Sequence, residues 1–181
     1  MTNLIARASA FVLASMLCVS AWALTPAQLL TIKADITANA DLNAQPLTLD
    51  GAFAIAAMYN TAAAPAWIVW KRNVPINDVG KAFNGAELAG LTTGNQTRLQ
   101  TLALYLADGV NPTLADNRAF FDDVFSGAGG TNTRANLLVL WKRPALRIEK
   151  LFSTGTGTTA SPATLTVEGN VSLEDIVAAR N

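Results

Sequence analysis

Apolar residues recur with helical spacing along most of this chain, and helix-start signals mark where each run begins. In "TPAQLLTIKADITA" the hydroxyl of Thr25, the proline at 26 and the amide of Gln28 make a capping box. Leu29, Ile32 and Ile36 then fall on one face, which predicts a helix over 26–38. A polar, proline-containing loop leads to Asp50. That residue is placed to cap a short helix across "GAFAIAAMYN", with Phe53, Ala57 and Met58 facing a core. "TAAAPA" ends it. "WIVWKRNVP" is rich in β-favouring residues but bracketed by Pro65 and Pro75, so it reads as an extended segment anchored by Trp67 and Trp70.

Further on, "INDVGKAFNGAELAGL" supports one or two short helical turns, weakened by its glycines. Thr93 and Gln96 form a second capping box, followed by a stripe of Leu99, Leu102, Ala103 and Leu106, with Gly109 as the stop. Thr113 heads another helix, with Asp116 near its start and Phe120, Phe121, Val124 and Phe125 as a dense core face. "TNTRANLLVLWKRPALRIEKLFSTG" has a long helical pattern that Pro144 must kink or split near Lys142. Gly155 closes that pattern. "TLTVE" is a short strand or extended arm, and Ser172 with Asp175 starts a last short helix. The fold class is therefore mainly α. It is a compact bundle of about five to six helices over 24–154, followed by a flexible joint and C-terminal arm over 155–181 that ends in a short helix.

Composition narrows the chemistry. The 181 residues contain no histidine, one cysteine, and 13 basic against 13 acidic side chains. Imidazole bases, imidazole metal ligands and histidine-activated nucleophiles are excluded, as are an internal disulfide and a thiolate zinc site. The neutral balance carries no footprint for specific nucleic-acid binding. The glycines of "STGTGTT" invite a phosphate-loop reading, but no Gly-Lys-Ser/Thr follows and the stretch comes after a helix rather than a strand. Asp116, Asp122 and Asp123 could in principle serve a cation or acid-base chemistry. Their interleaving with phenylalanines reads instead as the solvated face of a helix. No catalytic residue, cofactor or metal ligand is expected, and the chain is read as a non-enzyme. Arg143, Arg147 and Lys150 share a face if the helix continues past Pro144, and with Lys142 they form the chain's one basic grouping.

Residues 1–23 have the parts of a secretory signal: Arg7, an apolar run over 8–20, and the small-x-small site Ala21-Trp22-Ala23. The run is too short to favour a stable membrane span. The other reading of this segment is a mis-assigned start.

Several long words along the chain carry a resemblance. "LTPAQLLTIKADI", "DGAFAIAAMYN", "APAWIVWKRNVP" and "RIEKLFSTGTGTTASPATLTVEGNVSLEDIVAARN" occur in this order from Leu24 to Asn181. In this the chain resembles a family of uncharacterised proteins of tailed bacteriophages and prophages. The resemblance implies a start near Leu24 and a virion structural or morphogenesis role, such as a head-tail connector or completion component. It implies other phage structural proteins as partners, a homo-oligomer or ring in the particle, and location in the virion or in the host cytoplasm during assembly. The residues expected to touch partners are then Trp67, Trp70, Arg143, Arg147, Lys150, Thr156, Thr158, Leu165 and Val167. The alternative is an exported, periplasmic or secreted binding module in which Trp67, Trp70 and Trp141 line a small apolar pocket.

Overall fold

The computed structural model describes residues 24–106 and 108–181. The signal-like segment and Cys18 lie outside the described residues. The described chain is mainly helical, with ten α-helices and two small two-stranded sheets. It divides into two compact units. One is formed by the described residues up to Ala52 together with Ser172–Asn181, the other by the described residues of Phe53–Val171. This corrects the expected division into 24–154 and 155–181.

The first unit is built from local signals. Helix α1 (Pro26–Ala38) starts at the predicted capping box: Thr25 Oγ1 accepts from the Gln28 amide, and Gln28 returns to the Thr25 amide at 2.7 Å. It buries Ile32 and Ile36. Asn39 then caps a single turn, α2 (Ala40–Asn43), which buries Leu42 in what was expected to be loop. The C-terminal helix, numbered α10 (Leu173–Arg180), has the expected box at Ser172 and Asp175 and packs on α1 with Ile176 and Ala179 buried. Arg180 donates to the Pro46 and Gln45 carbonyls, both at 2.9 Å. The last helix is thus a structural part of this unit and not the free end of an arm.

Helix α3 (Leu49–Tyr59) is where the predicted face fails. Its buried positions are Gly51, Ala52, Ile55, Ala56 and Tyr59, while Phe53 is 67% exposed and Ala57 is exposed. Its first turn is capped by Thr48 Oγ1, which accepts from the Gly51 amide, and not by Asp50.

The second unit carries two cores. The larger joins Val74, Val79, Val110, Phe121, Val124, Phe125, Leu137 and Trp141. It is fed by α4 (Ile76–Ala82), α6 (Thr93–Tyr105), α7 (Ala115–Val124) and α8 (Thr131–Leu140), while α5 (Gly85–Ala89) buries no residue. The predicted phenylalanine face is here: Phe121 and Phe125 are buried, and Phe120 packs on Phe121 edge to face at 5.4 Å. Thr92, not Thr93, caps α6 by accepting from the Asn95 amide, and Ala103 of the expected stripe is exposed. Thr113 does not cap α7, since its hydroxyl bonds Asn111 Oδ1.

The long helical pattern splits near Lys142, as Pro144 led one to expect, and a strand stands in the gap. The chain leaves α8, runs as strand β2 (Lys142–Pro144), and re-enters a one-turn helix α9 (Arg147–Leu151). Proline cannot sit inside a helix without losing a backbone bond, and here the strand takes up the interruption. β2 pairs antiparallel with β1 (Ile68–Trp70), with Val69 opposite Arg143. On its other side β1 meets the Gly/Thr segment: the Ile68 amide donates to the Gly157 carbonyl at 2.8 Å, and Trp70 and Ala163 bond through Trp70 N to Ala163 O at 3.0 Å. β3 (Ser153–Thr154) and β4 (Thr164–Leu165) then close the smaller core of Val69, Ala145, Ala163 and Leu165, with Trp67 packed against it.

The segment read as a flexible joint is therefore an ordered part of the second unit. Gly157 has φ +63° and is buried, and a Cβ there would lie 2.1 Å from the Trp67 ring. Only glycine allows both that backbone angle and that approach. Gly157→Ala is expected to destabilise the protein by about 2–4 kcal/mol through backbone strain and overpacking. Urea unfolding followed by tryptophan fluorescence checks this; an unchanged midpoint would show that the segment does not seat on Trp67. Ending the chain after Gly155 removes Ala163 and Leu165 from the smaller core and α10 from α1. The expected result is loss of a cooperative unfolding transition. A sharp transition at the full-length midpoint would restore the detached-arm picture.

Candidate partner-contact site

The residues expected to touch partners come from β1 and the residue before it, β2, α9, the Gly/Thr segment, and β4 with the chain just beyond it, and most are held by other parts of this same unit. Arg143 lies at the centre. Its guanidinium grips Glu149 through two bonds of 2.7 Å and reaches Glu168 at 2.8 Å. Glu149 is 1% exposed, and its carboxylate also accepts from the Leu146 and Gly169 amides, both at 2.9 Å. Burial pushes the Glu149 carboxyl up, but the hydrogen bonds from Arg143, Leu146 and Gly169 outweigh it and hold its pKa below the ordinary value. The same bonds to Glu149, opposed by burial and helped by Glu168, raise the pKa of Arg143.

The other cations lie over aromatic faces. Lys150 Nζ is 5.2 Å from the Trp67 ring centre, and Arg147 Cζ is 5.4 Å from that of Tyr59. Arg118 Cζ sits 4.4 Å over Trp70, with Lys142 Nζ at 5.7 Å over the same ring. Because the helix is split, Arg143, Arg147 and Lys150 do not share one face. The expected basic surface is instead a set of separate contacts that join β1, β2, α9 and α3. Trp67 also donates from Nε1 to Ser153 Oγ at 2.8 Å. Thr156 and Thr158 knot their own turn: Thr156 Oγ1 donates to the Ser161 carbonyl, and Thr158 Oγ1 accepts from the Ser161 amide, both at 2.9 Å. Leu165 is 2% exposed and so belongs to the core, while Val167 is half-buried.

The three tryptophans of the pocket reading are not brought to one cleft. Trp141 is 3% exposed in the phenylalanine core, 5.5 Å from Phe121, and its indole N–H has no partner among the described residues. Trp70 packs on that core and Trp67 on the other. Asp116, Asp122 and Asp123 are all exposed, and Asp123 pairs with Arg98 at 2.8 Å. Among the described residues there is no group of three or more histidine, cysteine, aspartate or glutamate side chains able to hold a metal. No helix among them is long and apolar enough to cross a membrane.

Two features of the second unit were missed in the sequence. The first is Glu87 of α5. Its carboxylate accepts from the Asn132 amide at 2.8 Å, the Thr133 amide at 2.7 Å and Asn132 Nδ2 at 3.0 Å. It thereby caps α8, whose own cap position is the side-chain-free Gly130. Partial burial raises its pKa, and the bonds from Thr133 and Asn132 outweigh that and lower it overall. The second is an open cleft of about 480 Å³ between α5 and α6, lined by Phe83, Leu88, Ala89, Leu99 and Ala103 with Gly85, Gln96 and Gln100, and by no charged side chain. Leu104, the next residue along α6, is 82% exposed. The sequence signal for this surface was the short glycine-bounded helix α5, too brief to bury its own leucine.

Comparison with protein-family models, curated proteins and solved structures returns no match.

Glu149→Gln is expected to cost about 2–4 kcal/mol. This lies at or below the usual range for breaking a buried pair, because Arg143 keeps part of its hydration with 25% of its side chain exposed. Both Glu87 and Glu149 have folded-state pKa values below the ordinary 4.5. Their stabilisation is therefore complete above that value and is lost as pH falls through the lower folded-state values. Unfolding free energy measured from neutral to acid pH should drop below about pH 4.5, and the drop should be smaller in Glu149→Gln. An identical acid limb in the two proteins would contradict the assignment.

Proposed function

We propose that this chain is a non-enzymatic structural or morphogenesis protein of a tailed phage particle, a head-tail connector or completion component that works through protein-protein contacts. The observation that carries the reading is the uncharged apolar cleft between α5 and α6, open at the surface beside exposed Leu104. Contiguous apolar surface of this kind marks a place where another protein binds. The resemblance of the chain's ordered words to those of a phage family supplies the setting. The basic and aromatic groups support the same view from the other side, since they are engaged in contacts within the fold. The partner surface is thus moved from the basic grouping and the C-terminal segment to the α5–α6 side of the second unit.

The reading is tested on particles. Virions purified from a host carrying the gene are expected to contain the chain at a fixed ratio to the major capsid protein, as measured by quantitative mass spectrometry. Interrupting the gene should leave heads and tails unjoined and abolish infectivity. Particles that lack the chain, with normal infectious yield after interruption, would overturn the proposal.

A further inference from the structure

We propose that the first unit binds an anionic amphiphile of the fatty-acid class, its apolar tail along Leu47, Leu49, Ala52 and Val177 and its charged head at Arg180 and Lys33. The inference is independent of the particle reading. Two neighbouring clefts of this unit carry it. The larger, of about 470 Å³, has an apolar wall of Leu47, Leu49, Ala52 and Val177. Its volume lies within the range of about 300–1,000 Å³ usual for small-molecule sites. The smaller, of about 240 Å³, is lined by Lys33, Thr37, Asn43 and Gln45 among others. Leu47 and Arg180 line both, so the apolar cleft and the polar one share a wall.

The head follows from Arg180. Its guanidinium is fixed on the Pro46 and Gln45 carbonyls, both at 2.9 Å. These bonds use two of the five N–H groups that a guanidinium carries. Neither Arg180 nor Lys33 pairs with a carboxylate among the described residues. Every charged side chain that lines the two clefts is thus a cation without an acid. An arginine already ordered, with N–H groups to spare, is prepared for a carboxylate oxygen. The tail follows from the adjoining wall. Leu47 is 87% and Leu49 66% exposed, and a methylene chain laid along them removes apolar area from water. Other exposed apolar side chains lack this combination. The cleft beside Leu88 and Leu104 has no charged lining residue, and Phe53 lies one turn from the acid Asp50. Leu114 lies near Arg118, but that guanidinium stacks on Trp70. Leu30, Leu138 and Val139 line none of the three clefts.

Titration of the full-length chain with octanoate, followed by calorimetry and by methyl NMR, tests this. Saturable binding with a Kd below about 1 mM is expected, with shifts at Leu47, Leu49 and Val177. Acetate carries the head alone and octanol the tail alone, and each should bind more than about tenfold more weakly. Leu47→Glu and Lys33→Glu, both at exposed positions and checked for folding by circular dichroism, should each weaken octanoate more than about tenfold, because like charge then meets the head. Leu104→Glu, in the other unit, should leave it unchanged. Absence of saturation with octanoate, equal binding of octanol, or unchanged binding in Leu47→Glu would overturn the proposal. So would loss of binding in Leu104→Glu, or shifts at Leu88 and Leu99 in place of Leu47 and Val177.

Discussion

A carboxylate taken out of water needs donors on every side, and Glu149 draws them from three stretches of chain. Arg143 comes from β2, the Leu146 amide from the turn into α9, and the Gly169 amide from the return toward the last helix. Arg143 extends the arrangement to Glu168, so the return segment is held by both its backbone and a side chain. If any donor moved away, a buried charge would be left partly unmet, at a cost larger than the net worth of an ordinary hydrogen bond. This one acid therefore fixes where β2 ends, where α9 begins and where the chain beyond β4 must pass.

The small sheet layer depends on that placement. With β2 held, β1 has a partner on one side, and the Gly/Thr segment can close on the other through Gly157 and Ala163. Gly157 lets the backbone pass over the Trp67 ring, and Lys150 and Ser153 hold the same indole through a cation contact and a hydrogen bond. Asn60 then takes both backbone groups of Val171, with bonds of 3.0 and 2.9 Å. The stretch with the most loop-like composition is thus tied down at several of its polar groups, as ordered backbone away from helices and sheets requires.

What could be read in the sequence was local. The boxes at Thr25 and Ser172 are complete within four residues, and both helices start there. The phenylalanine face of α7 was legible because its polar positions are charged and the periodicity has contrast. α3 lacks that contrast: "AFAIAAM" is apolar on all sides, so Phe53 looked like a core residue and is 67% exposed. The α6 cap was missed by one residue between adjacent threonines. Glu149 sat among Arg147 and Lys150 and resembled a solvated helix position. Its partner Arg143 is six residues away, a spacing no helix brings together, and only the strand after α8 makes the contact. The α5–α6 cleft is likewise a product of packing between elements, and the short glycine-bounded α5 was its one local hint.

The chemistry-bearing side chains and the surface thus have separate roles. Ion pair, cation–aromatic and threonine contacts hold the second unit together, and the cleft between α5 and α6, with no charged lining residue, is the surface proposed for other proteins. The functional proposal depends on this division, and the division depends on Glu149 being fully engaged. Amide hydrogen exchange at Gly169 tests that most directly. Its N–H lies in a loop, where an amide bonded only to water exchanges at once. If it is bonded to the buried carboxylate, it should be protected to the level of the Leu137 amide in the core and open only with the whole unit. Exchange of Gly169 at a free-loop rate while Leu137 stays protected would contradict the account.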